Sequence, residues 1–159
     1  MTADERIAAL EGEAAEYGEA KARAGFWSRD VALERARAEI ASLVGPDPAR
    51  RGHTFLFGTA ADGRRVGWVW VGPLPGARPA RGKRWLFQII VDEGLRGQGY
   101  GRGLLGALER QLAAAGVREL RLNVFRWNSV AIALYTTSGY DVLREGERNL
   151  EMRKILGRA

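Results

Sequence analysis

From Gly97 to Gly103 every second residue is glycine, with Gln98 and Tyr100 between the glycines and Arg96 and Arg102 supplying charge. Glycine permits positive φ and lets another molecule approach main-chain N–H groups closely. Successive amides turned one way form an anion-binding concavity, and a helix that starts there adds the positive end of its dipole. A phosphate or pyrophosphate suits this chemistry; a plain tight turn needs fewer glycines and no arginines. A P-loop would need Lys-Ser or Lys-Thr after its last glycine, where Arg102-Gly103 or Tyr100-Gly101 stands instead. Gly101-Arg102-Gly103-Leu104-Leu105-Gly106 matches the dinucleotide fingerprint literally, but begins ten residues after Val91, where a strand ends. Its glycines would fall inside a helix, and the residues before it are not βαβ.

The elements around this loop follow from periodicity. Residues 4–24 alternate Ala and Leu with charge at helical spacing, and Gly25 stops them. Ser28 caps a second helix to about Leu43, ended by Gly45-Pro46-Asp47-Pro48. Thr54–Thr59 and Arg65–Val71 read as strands, and the Asp62-Gly63 pair joins them as an antiparallel hairpin. Gly72–Lys83 is a loop. Trp85–Val91 is apolar almost throughout, as a central strand covered on both faces requires. After the glycine loop, Leu104, Leu105, Leu108 and Leu112 form one helical stripe ending near Gly116. Val117–Phe125 is a strand, Asn128 caps a helix to about Ser138, and strands follow near Tyr140–Leu143 and Asn149–Ile155. The order predicts a mixed α/β single domain over residues 1–159.

Downstream, Asn128-Ser129-Val130-Ala131-Ile132-Ala133-Leu134-Tyr135 precedes Ser138-Gly139-Tyr140. With Arg96-x-x-Gly99-x-Gly101 after Ile89-Ile90-Val91, this pair of motifs resembles the GNAT N-acetyltransferase superfamily over residues 85–143. The resemblance implies an α+β GNAT fold: a central, mostly antiparallel mixed sheet flanked by helices, its splayed central strands forming an acetyl-CoA cleft. It implies that the backbone of Ile89, Ile90 and Val91 pairs with the pantetheine arm of acetyl-CoA. Amides from Gly97 through Gln98, Gly99, Tyr100 and Gly101 to Arg102 would hold the pyrophosphate, with Arg96 beside them. Asn128 would touch the pantetheine end, or serve only as a helix cap. Tyr135 would protonate the departing thiolate. Seven residues separate Asn128 from Tyr135, which puts them near one helix face and ~10.5 Å apart along it.

The sequence departs from the family pattern at the base. Trp85 and Asn123 stand where many relatives carry a glutamate, and neither accepts a proton; nor does Gln88. Asp92 and Glu93 adjoin the expected pyrophosphate. Glu119 shares a strand face with Asn123 but lies four residues, ~13 Å, away. No base is assigned. Glu13, Glu16, Tyr17, Glu19 and Trp27 on the leading helices, with Trp68 and Trp70, would suit a cationic amine. Polyamine-like, aminoglycoside-like and peptide amines all remain open as acceptors.

Composition sets the outer bounds. The chain has 159 residues, 46% hydrophobic and 28% charged, which is ordinary globular composition. With no cysteine there is no disulfide or thiolate nucleophile, and a single histidine, His53, argues against a metal site. The polar N-terminus and the lack of a long apolar run predict a cytoplasmic protein with no membrane partner. The +6 charge comes from 22 Arg and 3 Lys spread among acids, so nucleic acid ranks third as a partner class. Arg78, Arg81, Lys83 and Arg84 form the one acid-free basic stretch. It is either a solvated loop or a patch attracting CoA. The expected activity is transfer of acetyl to a primary amine, with a non-catalytic acyl-CoA-binding or regulatory module as the rival; a homodimer is compatible with either.

Overall fold

The computed structural model describes residues 1–76 and 80–157 and divides into two compact units, Met1–Arg51 and Gly52–Ala159. The first is a helical hairpin, α1 (Ala3–Arg23) and α2 (Arg29–Val44). Thr2 and Glu5 start α1 with a reciprocal capping box, the Thr2 hydroxyl accepting from Glu5 N–H and the Glu5 carboxylate from Thr2 N–H. The helices cross at small residues: a Cβ on Gly18 would lie 2.9 Å from Ala32 O. Ala14 and Ala36 are buried with them.

The second unit is a six-stranded sheet with two helices. Its strands are β1 (Thr54–Thr59), β2 (Arg65–Gly72), β3 (Lys83–Val91), β4 (Glu119–Phe125), β5 (Asp141–Glu145) and β6 (Asn149–Ile155), in the order β1-β2-β3-β4-β6-β5. All neighbours are antiparallel except β3 and β4. That parallel pair is bridged by α3 (Tyr100–Ala114), and α4 (Ser129–Thr137) follows β4. Leu105 and Leu108 of α3, Val69, Leu86, Leu120 and Leu122 of the sheet, and Tyr135 of α4 share one buried cluster. The opposite sheet face carries a second apolar group, in which Trp70 stacks between Phe55 and Phe87 at 5.3 and 4.5 Å. His53 is buried there as an acceptor, its Nδ1 taking the Trp70 Nε1–H at 3.0 Å.

The element order matches the sequence reading, with small shifts at the ends. β4 begins at Glu119 rather than Val117, because Val117 N–H closes the end of α3 on Leu112 O and Arg118 N–H donates to Gly82 O. β5 begins after Tyr140, whose amide instead completes the C-cap of α4. Of the basic stretch, Arg78 lies outside the described residues. Lys83 stands 3.3 Å from Glu119 and Arg84 donates to Lys83 O. Both sit at the start of β3, seven to eight residues and ~23–26 Å from its glycine-loop end, so they do not form a patch beside that loop.

Candidate active site

The site begins where β3 and β4 part. Their parallel ladder pairs Lys83, Arg84, Trp85 and Leu86 with Glu119, Leu120, Arg121 and Leu122, and stops there. Beyond it the two strands run on unpaired with each other, to Val91 and Phe125. On its other side β3 stays paired to β2 as far as Gly67–Val91. Phe87 is the extra residue of a bulge, since Trp70 pairs with Gln88 and Val71 with Leu86. Asp92 N–H donates to Val66 O. Stepping back in twos from that contact turns the backbone of Ile90 toward Trp68, and that of Ile89 and Val91 toward the gap. Of the three strand residues singled out by sequence, Ile90 therefore has its backbone groups committed to β2. The Ile89 amide is capped by Gln88 Oε1 at 2.9 Å.

The glycine loop leaves the end of this half-free strand. Glu93–Leu95 form a single 3-10 turn. Gly97 and Gly99 then take φ of +75° and +85°, values that favour glycine. Gly99 is the N-cap of α3, and Gly103 N–H is the first helix amide to find a backbone acceptor, Gly99 O at 3.1 Å. The amides from Gly97 to Arg102 find none among the described residues. They are the orphan donors of a helix start with no side-chain cap. The arginines buttress the loop: Arg96 Nε donates to Val91 O at 3.1 Å, and Arg102 Nη2 to Thr137 Oγ1 on α4 at 3.1 Å. Arg64, from the β1–β2 turn, reaches the Tyr100 hydroxyl at 3.2 Å. Arg64 carries no local signal in the sequence, because 36 residues separate it from Tyr100.

The helix α4 forms the adjoining wall. A Cβ on Gly101 would sit 3.6 Å from Leu134 and 3.7 Å from Val91, so loop, β3 and α4 meet there. Asn128 caps α4, its Oδ1 accepting from Ala131 N–H at 3.1 Å. Tyr135 follows Leu134 and is buried; its hydroxyl has no hydrogen-bond partner among the described residues. Burial pushes that phenol up to about 12. The other sequence candidates make contacts of their own. Glu119 is at the closed end of the β3–β4 ladder, held by Lys83 and Arg121. Tyr17 donates to Glu39, Glu19 pairs with Arg29, and the rings of Tyr17 and Trp27 flank the Lys21 ammonium. Among the described residues no three His, Asp or Glu side chains converge as metal ligands, and no helix is long and apolar enough to cross a membrane.

Two strands thus part beside a run of orphan amides, walled by a helix carrying a buried tyrosine. The chain belongs to the GNAT acetyltransferase family, whose family model matches residues 9–140. Acetyl-CoA is the co-substrate of that family. An uncharacterised N-acetyltransferase of Bacillus subtilis, YycN, is 29% identical over 125 residues, 78% of each chain. The crystal structure of YycN superimposes with a TM-score of 0.80 at 25% identity, covering 92% of this chain and 94% of that one. The Escherichia coli [ribosomal protein bS18]-alanine N-acetyltransferase is 45% identical over 56 residues, 35% of this chain and 38% of that protein. The Thermoplasma acidophilum PaiA N-acetyltransferase, solved in complex with coenzyme A, shares the fold at a TM-score of 0.65 and 21% identity, covering 94% of each chain.

Proposed function

We propose that this chain transfers the acetyl group of acetyl-CoA to a primary amine of a small molecule or peptide by direct attack. The observation that carries the reading is the end of the β3–β4 ladder at Leu86 and Leu122, beside a loop whose amides are unpaired. An extended arm along Ile89 and Val91 would pair like an added strand, and a pyrophosphate would meet the amides of Gly97 to Arg102. Gly101 fits this role: its nearest protein neighbours leave room for a Cβ, so the fold does not demand glycine there, whereas close approach of a ligand does.

Acetyl-CoA supplies the thioester carbonyl and a sulfur leaving group. The amine nitrogen forms the new C–N bond as the C–S bond breaks; nitrogen gives up a proton and sulfur gains one. Tyr135 serves the sulfur. With its phenol near 12 and a thiol near ~8.5, complete proton transfer would be uphill by about 5 kcal/mol. Tyr135 therefore acts chiefly as a hydrogen-bond donor to the developing negative charge. Asn128, one face-repeat earlier on α4, uses its Nδ2 toward the pantetheine end.

The test is release of free CoA thiol across a panel of amines that includes peptide α-amines, because the bS18 enzyme acts on a protein's alanine. Acetyl-CoA at 100 times its dissociation constant should also stabilise the fold by ~2.7 kcal/mol. Stabilisation with no transfer to any amine would favour a non-catalytic acyl-CoA-binding module. That second reading draws its support from Trp85 and Asn123, which cannot accept a proton.

A further inference from the structure

Asn123 is the first residue of β4 beyond the last pair with β3, so it stands at the mouth of the gap. Across the antiparallel β4–β6 ladder it faces Glu151. Arg126 N–H donates to Arg148 O. Counting in twos from that contact makes Asn123 and Glu151 a non-hydrogen-bonded pair, the kind with Cα atoms ~4.5 Å apart and side chains closest. Both project from the face opposite Leu122, Val124, Leu150 and Met152, which belong to the core. The Glu151 side chain is only 17% exposed.

The partners of Glu151 hold it loosely. Arg121 Nη1 is 3.4 Å from Oε1, and Arg144 Nε on β5 is 3.9 Å from Oε2. Arg153 and Asn149 flank it on β6, and Glu119 reaches it only through Arg121. Asn123 is fixed by the Asn149 amide, which donates to its Oδ1 at 2.5 Å and leaves Asn123 Nδ2 as a donor without a partner among the described residues. A donor at the gap and, one strand behind it on β6, a loosely held carboxylate thus lie side by side. Glu119, the carboxylate on the same face of β4 itself, is anchored at the ladder's closed end.

We propose that Glu151 is the proton acceptor for the attacking amine, working through one water held between its carboxylate and the Asn123 amide. The inference rests on the N-acetyltransferase reading above. An ammonium acceptor sheds two protons overall. One passes through the water to Glu151 and on to solvent; the other balances the proton delivered to sulfur.

The experiment is single-turnover acetyl transfer by the full chain between pH 6 and 8, with the best amine acceptor found. An amine near ~10.4 is only about 0.04% neutral at pH 7, so without a proton acceptor the rate climbs tenfold per pH unit. The wild type should show a shallow profile. Glu151→Gln, which keeps an oxygen for Arg121, should fall by roughly 10²-fold at pH 7 and regain the tenfold slope. Adding Asn123→Glu to that variant places a carboxylate one strand nearer and should flatten the profile again. Asn123→Leu evicts the water without touching the ion pairs, and should steepen the profile as Glu151→Gln does. A Glu151→Gln or Asn123→Leu enzyme with the wild-type slope and rate would overturn the proposal, whatever either does to melting. A wild type that already climbs tenfold per unit would overturn it too. Failure of the wild type to acetylate any amine at any pH would remove the reading beneath it.

Discussion

Tyr140 N–H closes on Tyr135 O at 3.0 Å, and the two rings pack 5.6 Å apart. Together with Gly139 N–H on Thr136 O, and Gly139 at φ +87°, this forms a Schellman cap that ends α4. The glycine-aromatic pair after the helix thus has a mechanical role: it pins the last turn that carries Tyr135. The opposite end is pinned by the Asn128 cap, so Tyr135 is presented by a nine-residue helix fixed at both termini.

Tyr135→Phe keeps that ring packing and removes only the hydroxyl. If Tyr135 donates to the leaving sulfur, single-turnover acetyl transfer should fall by roughly 10²–10⁴-fold, with acetyl-CoA binding nearly unchanged. Rapid-quench kinetics beside calorimetric titration measure both. Near-normal transfer would mean that the sulfur departs without Tyr135.

The sequence made the local parts of this site legible. Glycine spacing placed the turn and the helix start, because positive φ at Gly97 and Gly99 is a property of single residues. Asn128 announced its own cap. What stayed hidden was everything set by strand register. Whether Ile90 or its neighbours face the gap depends on the β2 pairing and the bulge at Phe87, which no local pattern specifies. The approach of Glu151 to Asn123 likewise needs the β4–β6 alignment across 28 residues. A run of arginines also looks alike in sequence whether it binds ligand or braces backbone. Here Arg96 donates to the Val91 carbonyl and Arg102 to the Thr137 hydroxyl, contacts that no local pattern announces.

Arg96→Ala tests that bracing. Without the Nε contact to Val91 O the loop loses its closure, and acetyl-CoA affinity should drop tenfold or more, about 1.4 kcal/mol. A purely electrostatic contribution would fade as salt screens it. A positional one should survive, so the loss is expected to persist at 1 M salt. Equal affinities of variant and wild type at high salt would refute the bracing role.

Gly99 and Gly101 should respond differently to the same substitution. Gly99→Val forces a side chain into φ +85° at the helix N-cap, a conformation costing roughly 1–2 kcal/mol for a residue with a Cβ. It should weaken acetyl-CoA binding more than tenfold and lower stability as well. The Cβ that Gly101→Val adds would meet Leu134 and Val91 at ordinary contact distances. It should spare the melting temperature and still weaken binding, since the added methyls stand over the amides. Unchanged binding by a folded Gly101→Val protein would show that no ligand approaches this turn.

Burial of Tyr135 also fixes the sign of a pH effect on stability. Its phenol is near 12 in the folded chain and 10.0 unfolded. Below pH 10 the hydroxyl is protonated in both states, and its contribution is fully present. Above pH 10 the unfolded chain ionises first, so stability declines as pH rises toward 12, by about 1.4 kcal/mol at pH 11 from this group alone. Tyr140, raised by burial and by the facing Glu109 carboxylate, acts in the same direction. Tyr135→Phe removes one titrating group and leaves the other. Urea unfolding at pH 9 and pH 11 should therefore show the variant gaining about 1 kcal/mol on the wild type over that interval. Parallel losses in the two proteins would mean that the Tyr135 hydroxyl is solvated in the folded state, which would also lower the barrier to its full ionisation during acetyl transfer.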